Sequence, residues 1–217
     1  MSAPGGAARP RVWVKICGVT TREDAERAVA AGADAVGVNL VEGSPRRITL
    51  ERAREIAAAV GPRAETIAVV ADVSVEAARA VLEATGASRV QLHGHEPPWV
   101  CAALGPAALQ ALRIGAPEDA ERALAWPGEL LIVDAMVPGA LGGTGQRVAP
   151  ELVRALARRR RVVLAGGLTP ENVTGAVLEV APWGVDVASG VERAGEPRRK
   201  DAARIAAFVR AARAASP

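Results

Sequence analysis

The chain has 217 residues, half of them apolar and 24% charged, with a net charge of +3. That length and balance indicate one soluble globular domain with a sizeable core, and exclude disordered and fibrous classes. Aromatic residues make up only 2%, so the core must come from Val, Leu, Ile and Ala, and little is available to stack on nucleic-acid bases.

The mild basicity does not argue for nucleic acid either. The Arg158–Arg161 run falls where a helical pattern ends, and basic side chains there complement the helix dipole. Cys17 and Cys101 have no CxxC neighbour, which fits a reducing compartment and gives no zinc pattern. No run approaches the ~20 apolar residues of a membrane span. The opening MSAPGGAARP lacks the apolar segment of a secretion signal and reads as a loose tail over residues 1–10. The expectation is a cytoplasmic protein with no nucleic-acid or membrane partner.

From residue 11 onward, short apolar runs alternate with helical patterns. Trp13–Ile16 predicts a strand, followed by a helix over Arg22–Ala31 that Thr21 can cap. Ala35–Leu40 and Leu50–Val60 form the second strand and helix, and Thr66–Ala71 and Val75–Thr85 the third, with Ser74 as its cap. The fourth unit is Arg89–Leu92 and Pro97–Leu104, and the fifth Leu109–Ile114 and Pro117–Ala125. Leu130–Asp134 and Pro150–Arg159 make the sixth. Arg161–Ala165 and Pro170–Val180 make the seventh, its helix opened by Thr169, Pro170 and Glu171 as cap, first-turn proline and acidic first turn. Val185–Ala188 and Lys200–Ala214 complete the eighth. Gly32, Gly61 and Gly86 mark helix ends.

Several strands are almost continuously apolar, as parallel strands covered by helices on the outside should be. Eight such units without a composition break predict an α/β fold, a compact (βα)8 barrel over residues 11–217. Alternation alone does not separate this from an open doubly wound sheet.

The polar residues favour closure, because they gather at the C-terminal ends of the strands, where barrel active sites lie. Cys17 closes the first strand and Ser44–Arg47 follows the second. His93 ends the fourth, Asp134 the sixth, Gly166 and Gly167 the seventh, and Asp186 with Ser189 and Gly190 the eighth. Lys15 shares the face of Cys17, and a nearby cation and a helix start both favour a thiolate. Free cysteines are usually inert and buried, which suits Cys101 inside the fourth helix. Asp134 at the end of an apolar strand is partly desolvated, which suits a general acid. The seventh and eighth loops can offer backbone N–H groups to a phosphate. Arg46, after Ser44 and Pro45, is held by a rigid turn and can clamp a carboxylate or phosphate. His93, His95 and Glu96 invite a metal, but a lone pair of histidines with no further companion makes none expected. The Gly142–Gly145 loop lacks the Lys-Ser/Thr of a nucleotide-binding loop.

In order along the chain stand VKICGVT, GADAVGVNL followed by SPRRIT, RVQLHGHE, LLIVDA, GGTG, LAGGLTPENV and GVDVASGVE. With this set, from about Val12 to the last helix, the sequence resembles the phosphoribosylanthranilate isomerase family, (βα)8 enzymes of tryptophan biosynthesis. The resemblance implies an Amadori rearrangement of N-(5'-phosphoribosyl)anthranilate, with no cofactor or metal. The partner it implies is a small phosphorylated substrate, the protein being a monomer or simple homodimer. It implies that Cys17 is general base and Asp134 general acid, and that Arg46 meets the anthranilate carboxylate. Gly166, Gly167, Ser189 and Gly190 correspond to the phosphate loops. His93 and Asp186 match polar residues lining the site, and Lys15, Gly143 and Gly145 are placed with the substrate.

Two stretches depart from the family pattern. An aromatic-rich segment usual after GGTG is here Gln146-Arg147-Val148-Ala149-Pro150, and the aromatic usual after strand two is replaced by Leu40-Val41. Both strip packing from around the anthranilate ring and leave the acid–base pair untouched. A related histidine-pathway isomerisation would use two aspartates and phosphate loops in both halves. A non-catalytic phosphate-binding barrel would not need Cys17 or Asp134.

Overall fold

The computed structural model describes residues 11–134 and 150–215. The expected tail over 1–10 and the glycines Gly143 and Gly145 lie outside the described residues, as do Gln146 to Ala149.

Among the described residues, eight parallel strands close into a barrel in sequence order, β8 pairing back onto β1. They are β1 (Trp13–Ile16), β2 (Ala35–Asn39), β3 (Glu65–Val70), β4 (Arg89–Leu92), β5 (Ala108–Arg113), β6 (Leu130–Asp134), β7 (Arg161–Ala165) and β8 (Gly184–Val187). Around them run α1 (Arg22–Ala30), α2 (Leu50–Val60), α3 (Val75–Thr85), α4 (Pro98–Leu104), α5 (Pro117–Ala125), α6 (Pro150–Ala157), α7 (Val173–Val180) and α8 (Ala202–Ala214). Closure settles the choice between barrel and open sheet.

The strand alternation explains the two layers of core. Val14, Ile16, Val36 and Val38 point outward and are buried under the helices with Ala25, Ala28 and Ala53, small residues that let the helices approach. Trp13, Ala35, Ile67, Leu109, Ile132 and Val163 belong to a separate cluster inside the barrel. The aliphatic core expected from composition therefore needs amending at two points. Trp13 lies 5.4 Å from Trp183, centroid to centroid, at the N-terminal end, and Phe208 of α8 is fully buried. Each aromatic fills volume that the small aliphatics cannot.

Thr21 and Ser74 cap α1 and α3 as predicted, accepting from Asp24 N–H and Ala77 N–H. Three helix starts differ from the sequence reading, α4 by a single residue, at Pro98. Helix α7 begins at Val173, because the Asn172 side chain folds back between Thr169 N–H and the Gly167 carbonyl and holds Pro170–Asn172 as a turn. Helix α8 begins at Ala202, with Asp201 as its cap. Lys200 instead ends β10 (Glu196–Lys200), which pairs antiparallel with β9 (Glu192–Arg193), so that Lys200 lies opposite Glu192. This hairpin brings the end of the chain over its beginning. Lys200 N–H donates to Asp24 Oδ2 of α1, and the Arg198 guanidinium donates to the Pro45 and Arg47 carbonyls.

Candidate active site

A cavity of about 300 Å³ opens at the C-terminal end of the barrel. Its wall includes Cys17, Arg46, His93, Asp134, Gly166, Gly167, Asp186 and Ser189, contributed by six of the eight strand–helix units. Cys17 and Asp134 are both half-buried, reaching the space from β1 and β6, three strands apart around the barrel.

The Cys17 side chain is set by its surroundings. Its N–H extends the ladder to Val187 O at 2.8 Å, fixing the end of β1 against β8. Below it, Lys15 is fully buried, and its Nζ donates to Gln91 Oε1 at 2.9 Å and Asp186 Oδ2 at 2.8 Å. Burial works against the Lys15 charge, but Asp186 and Cys17 more than offset it and hold the ammonium above its ordinary pKa. Lys15 thus lies one layer beneath the cavity and off its wall. Gly37 of β2 leaves room for both side chains. A Cβ there would fall 2.8 Å from Cys17 Sγ and 3.0 Å from Lys15 Cε.

Gly18 follows the thiol with φ +68°, a conformation that favours glycine. A Cβ at that position would run into Arg46 Cδ, so the arginine lies across the bare backbone beside Cys17. Arg46 is held bidentately, Nε to Glu192 Oε1 at 2.6 Å and Nη2 to Glu192 Oε2 at 2.8 Å. The bond to Glu192 raises the guanidinium pKa, against the effect of partial burial. The same Glu192 Oε1 receives Lys200 Nζ at 3.1 Å, and Lys200 also donates to Ala188 O at 2.8 Å.

On the far side, Gly166 and Gly167 both have positive φ, at +93° and +63°. Among the described residues, their N–H groups and that of Ser189 take part in none of the backbone hydrogen bonds outside helices and strands, so they are placed to meet an anion. Gly190 is not on the cavity wall; a Cβ there would strike the Leu168 carbonyl, so it packs the eighth loop against the seventh. Asp186 Oδ1 is buried without a partner while Oδ2 holds Lys15. His93 Nδ1 lies 3.3 Å from Gln91 Nε2, which ties it to the Lys15 layer.

The HGHE segment has another use. Glu96 is buried and accepts from Gly94 N–H at 2.9 Å, and Asp72 accepts from His95 N–H at 2.7 Å. The Asp72 bond, together with that from Val73 N–H to Glu96 Oε1 at 3.4 Å, joins the third and fourth loops. A second cavity of about 450 Å³ shares His93, Ala111 and Asp134 with the first and runs out past Arg113 and Trp126.

Sequence reasoning did not find Gly37, Gln91, Glu192 or Lys200. Gly37 carried a signal, since a glycine inside a strand often marks a close approach. So did the short Ala194-Gly195 turn between ER and EP, a hairpin signature.

Fold and site together define the class: a (βα)8 barrel with titratable side chains from several strands collected in one cavity at the C-terminal face, the arrangement of barrel enzymes. Residues 14–211 match the family model for N-(5'phosphoribosyl)anthranilate (PRA) isomerase. The N-(5'-phosphoribosyl)anthranilate isomerase of Pelobacter propionicus is 40% identical over 202 residues, 93% of this chain and 96% of that one. The crystal structure of phosphoribosyl anthranilate isomerase from Thermotoga maritima superposes with a TM-score of 0.82 at 36% identity, covering 94% of this chain and 99% of that one. A phosphoribosyl anthranilate isomerase in complex with reduced 1-(o-carboxyphenylamino)-1-deoxyribulose 5-phosphate gives a TM-score of 0.81 at 34% identity over the same shares. The chain belongs to the phosphoribosylanthranilate isomerase family of enzymes.

Proposed function

We propose that the chain converts N-(5'-phosphoribosyl)anthranilate to 1-(2-carboxyphenylamino)-1-deoxyribulose 5-phosphate in tryptophan biosynthesis, with Asp134 as general acid and Cys17 as general base. The observation that carries this reading is the shared cavity, lined by a thiol and a carboxyl from different strands and by the glycines of the seventh loop and Ser189. Family membership supports the reaction itself.

In this reading, Asp134 donates a proton to the ribose ring oxygen as the C1'–O bond breaks, and the anthranilate nitrogen lone pair forms the iminium. Cys17 as thiolate removes the proton from C2', and that C–H pair becomes the C1'–C2' double bond while the iminium π pair returns to nitrogen. The enolamine then gains a proton at C1' and loses one from the C2' hydroxyl, giving the ketone. Gly166, Gly167 and Ser189 N–H groups hold the phosphate, with Gly190 packing their loops together. Arg46 takes the anthranilate carboxylate on the edge that Glu192 leaves open. Asp186 Oδ1, buried and unpartnered, accepts from a substrate hydroxyl. His93 adds a polar contact, and Lys15 supports Asp186 and Cys17 from below.

The test is an assay on substrate generated in situ, followed by loss of its fluorescence. Cys17→Ala and Asp134→Asn should each lower kcat by about 100-fold or more. Either variant turning over like the wild type removes that residue from the reaction.

A further inference from the structure

Lys200 is the residue that the proposed reaction leaves without a task, and its position is unusual. It is fully buried, so it cannot reach a ligand in the cavity. An ammonium in such a place needs a counter-charge, because burying an unpaired ion is expensive.

The charged groups around Cys17 can be paired off in turn. From β1, Lys15 is paired with Asp186 of β8 at 2.8 Å. From the loop after β2, Arg46 is paired bidentately with Glu192 of β9. From β10, Lys200 has only a share of Glu192 Oε1, already taken by Arg46 Nε, and the neutral Ala188 carbonyl. His93 of β4 and Asp134 of β6 face the same space from the far side. Among the described residues, the three cations are held by two carboxylates, Asp186 and Glu192. The surplus positive charge is Lys200.

We propose that Lys200 and Glu192 are positioning residues for the Cys17 thiolate: Glu192 holds on one carboxylate both Lys200 and the Arg46 that lies against Gly18, and Lys200 supplies the charge that the thiolate balances. Consistent with this, burial pulls the Lys200 pKa down, while Glu192 and Cys17 act to raise it. The arrangement also suits the chemistry. As the acid gives up its proton and the base gains one, negative charge leaves Cys17 and appears on Asp134. The charge of the cluster is therefore the same before ring opening and after the proton leaves C2', and between those two steps the substrate iminium balances the added negative charge.

This inference rests on Cys17 being the base, and the test separates the two. The readout is the pH dependence of Cys17 alkylation by iodoacetamide in the intact protein, scored on its own peptide by mass spectrometry, which needs no turnover. Lys200→Met should move the midpoint up by about one pH unit or more. Glu192→Gln keeps the shape but removes a negative charge, and should move it down. Lys200→Arg should restore the wild-type midpoint. In Lys200→Met, kcat should fall about ten-fold at pH 7 and recover toward higher pH, with KM changing less than about two-fold.

A merely structural role would leave the midpoints in place or move both the same way, and either result overturns the proposal. Should Lys200→Met not fold, Glu192→Gln decides alone: an unchanged or raised midpoint refutes it. Should Cys17→Ala remain active, the base assignment fails, while the alkylation midpoints still report whether Lys200 sets the thiolate.

Discussion

Gly37→Ala is the most informative single substitution, because it adds one methyl group at the point where thiol and ammonium meet. The new Cβ would stand 2.8 Å from Cys17 Sγ, 3.0 Å from Lys15 Cε and 3.2 Å from Cys17 Cα. Heavy atoms in contact need about 3.5 Å, so the sulfur is too close by about 0.7 Å. Cys17 cannot yield freely, since its backbone is hydrogen-bonded to Val187 O. Lys15 cannot yield either without breaking its bonds to Gln91 and Asp186. Overpacking of this kind costs about 1–3 kcal/mol, or some 3–10 °C in Tm for a chain of this size. The larger effect should be on the reaction: displacing a reacting group by about 1 Å can cost about 100-fold. Steady-state kinetics with in situ substrate should show kcat reduced by between ten- and 100-fold and KM little altered, with an unchanged circular dichroism spectrum. A Gly37→Ala enzyme with kcat within two-fold of wild type would refute the claim that this gap positions the thiol.

Lys15→Met leaves Asp186 buried without its cation and should cost about 3–5 kcal/mol in urea unfolding, partly recovered by adding Asp186→Leu. The Lys15 pKa is raised from 10.5, so its stabilisation is present throughout neutral pH and is lost only as pH climbs past the folded value. The wild-type advantage should therefore hold from pH 6 to 9 and shrink above about 10.5. Asp201→Ala removes the cap of α8, which accepts from Ala203 and Arg204 N–H, and should lower stability by about 1 kcal/mol with near-normal kcat, measured by thermal melting and assay. Asp119 accepts from Gly115 and Ala116 N–H and pairs with Arg122; the Gly115 bond foremost holds its carboxyl below the ordinary value. A depressed carboxylate stabilises above its unfolded pKa and loses that effect as pH falls through the folded one. Asp119→Asn should thus lower the urea midpoint at pH 6, and the deficit should narrow below about pH 4.

The barrel was legible because its signals are local and repeated. Trp13–Ile16, Arg89–Leu92, Leu130–Asp134 and Arg161–Ala165 are strands with the bounds that their apolar runs predict. Polar residues at strand ends then located the cavity, since topology alone brings Cys17 and Asp134 together. What failed to show was whatever depends on partners distant in sequence. Lys200 looked like the start of a helix, and only its pairing opposite Glu192 and its bond to α1 bring it to the carboxylate that holds Arg46. Lys15 was rightly read as sharing the face of Cys17, but alternation cannot say at what depth a side chain stops. Its bonds to Gln91 and Asp186 place it beneath the cavity. Thr169 carried every mark of a helix cap, yet the Asn172 side chain offered the loop a better-bonded turn.

The β9–β10 hairpin has a consequence for the order in which the molecule matures. It joins Lys200 to Asp24 and Arg198 to the loop after β2, so the surroundings of Cys17 are assembled from both ends of the chain. A nascent chain that has already formed the first seven strand–helix units still lacks Asp186, Glu192 and Lys200. Its thiol then has Lys15 and Arg46 nearby, with neither held by its carboxylate. Chemical competence in this architecture arrives only with the last few dozen residues, after nearly all of the barrel has been made.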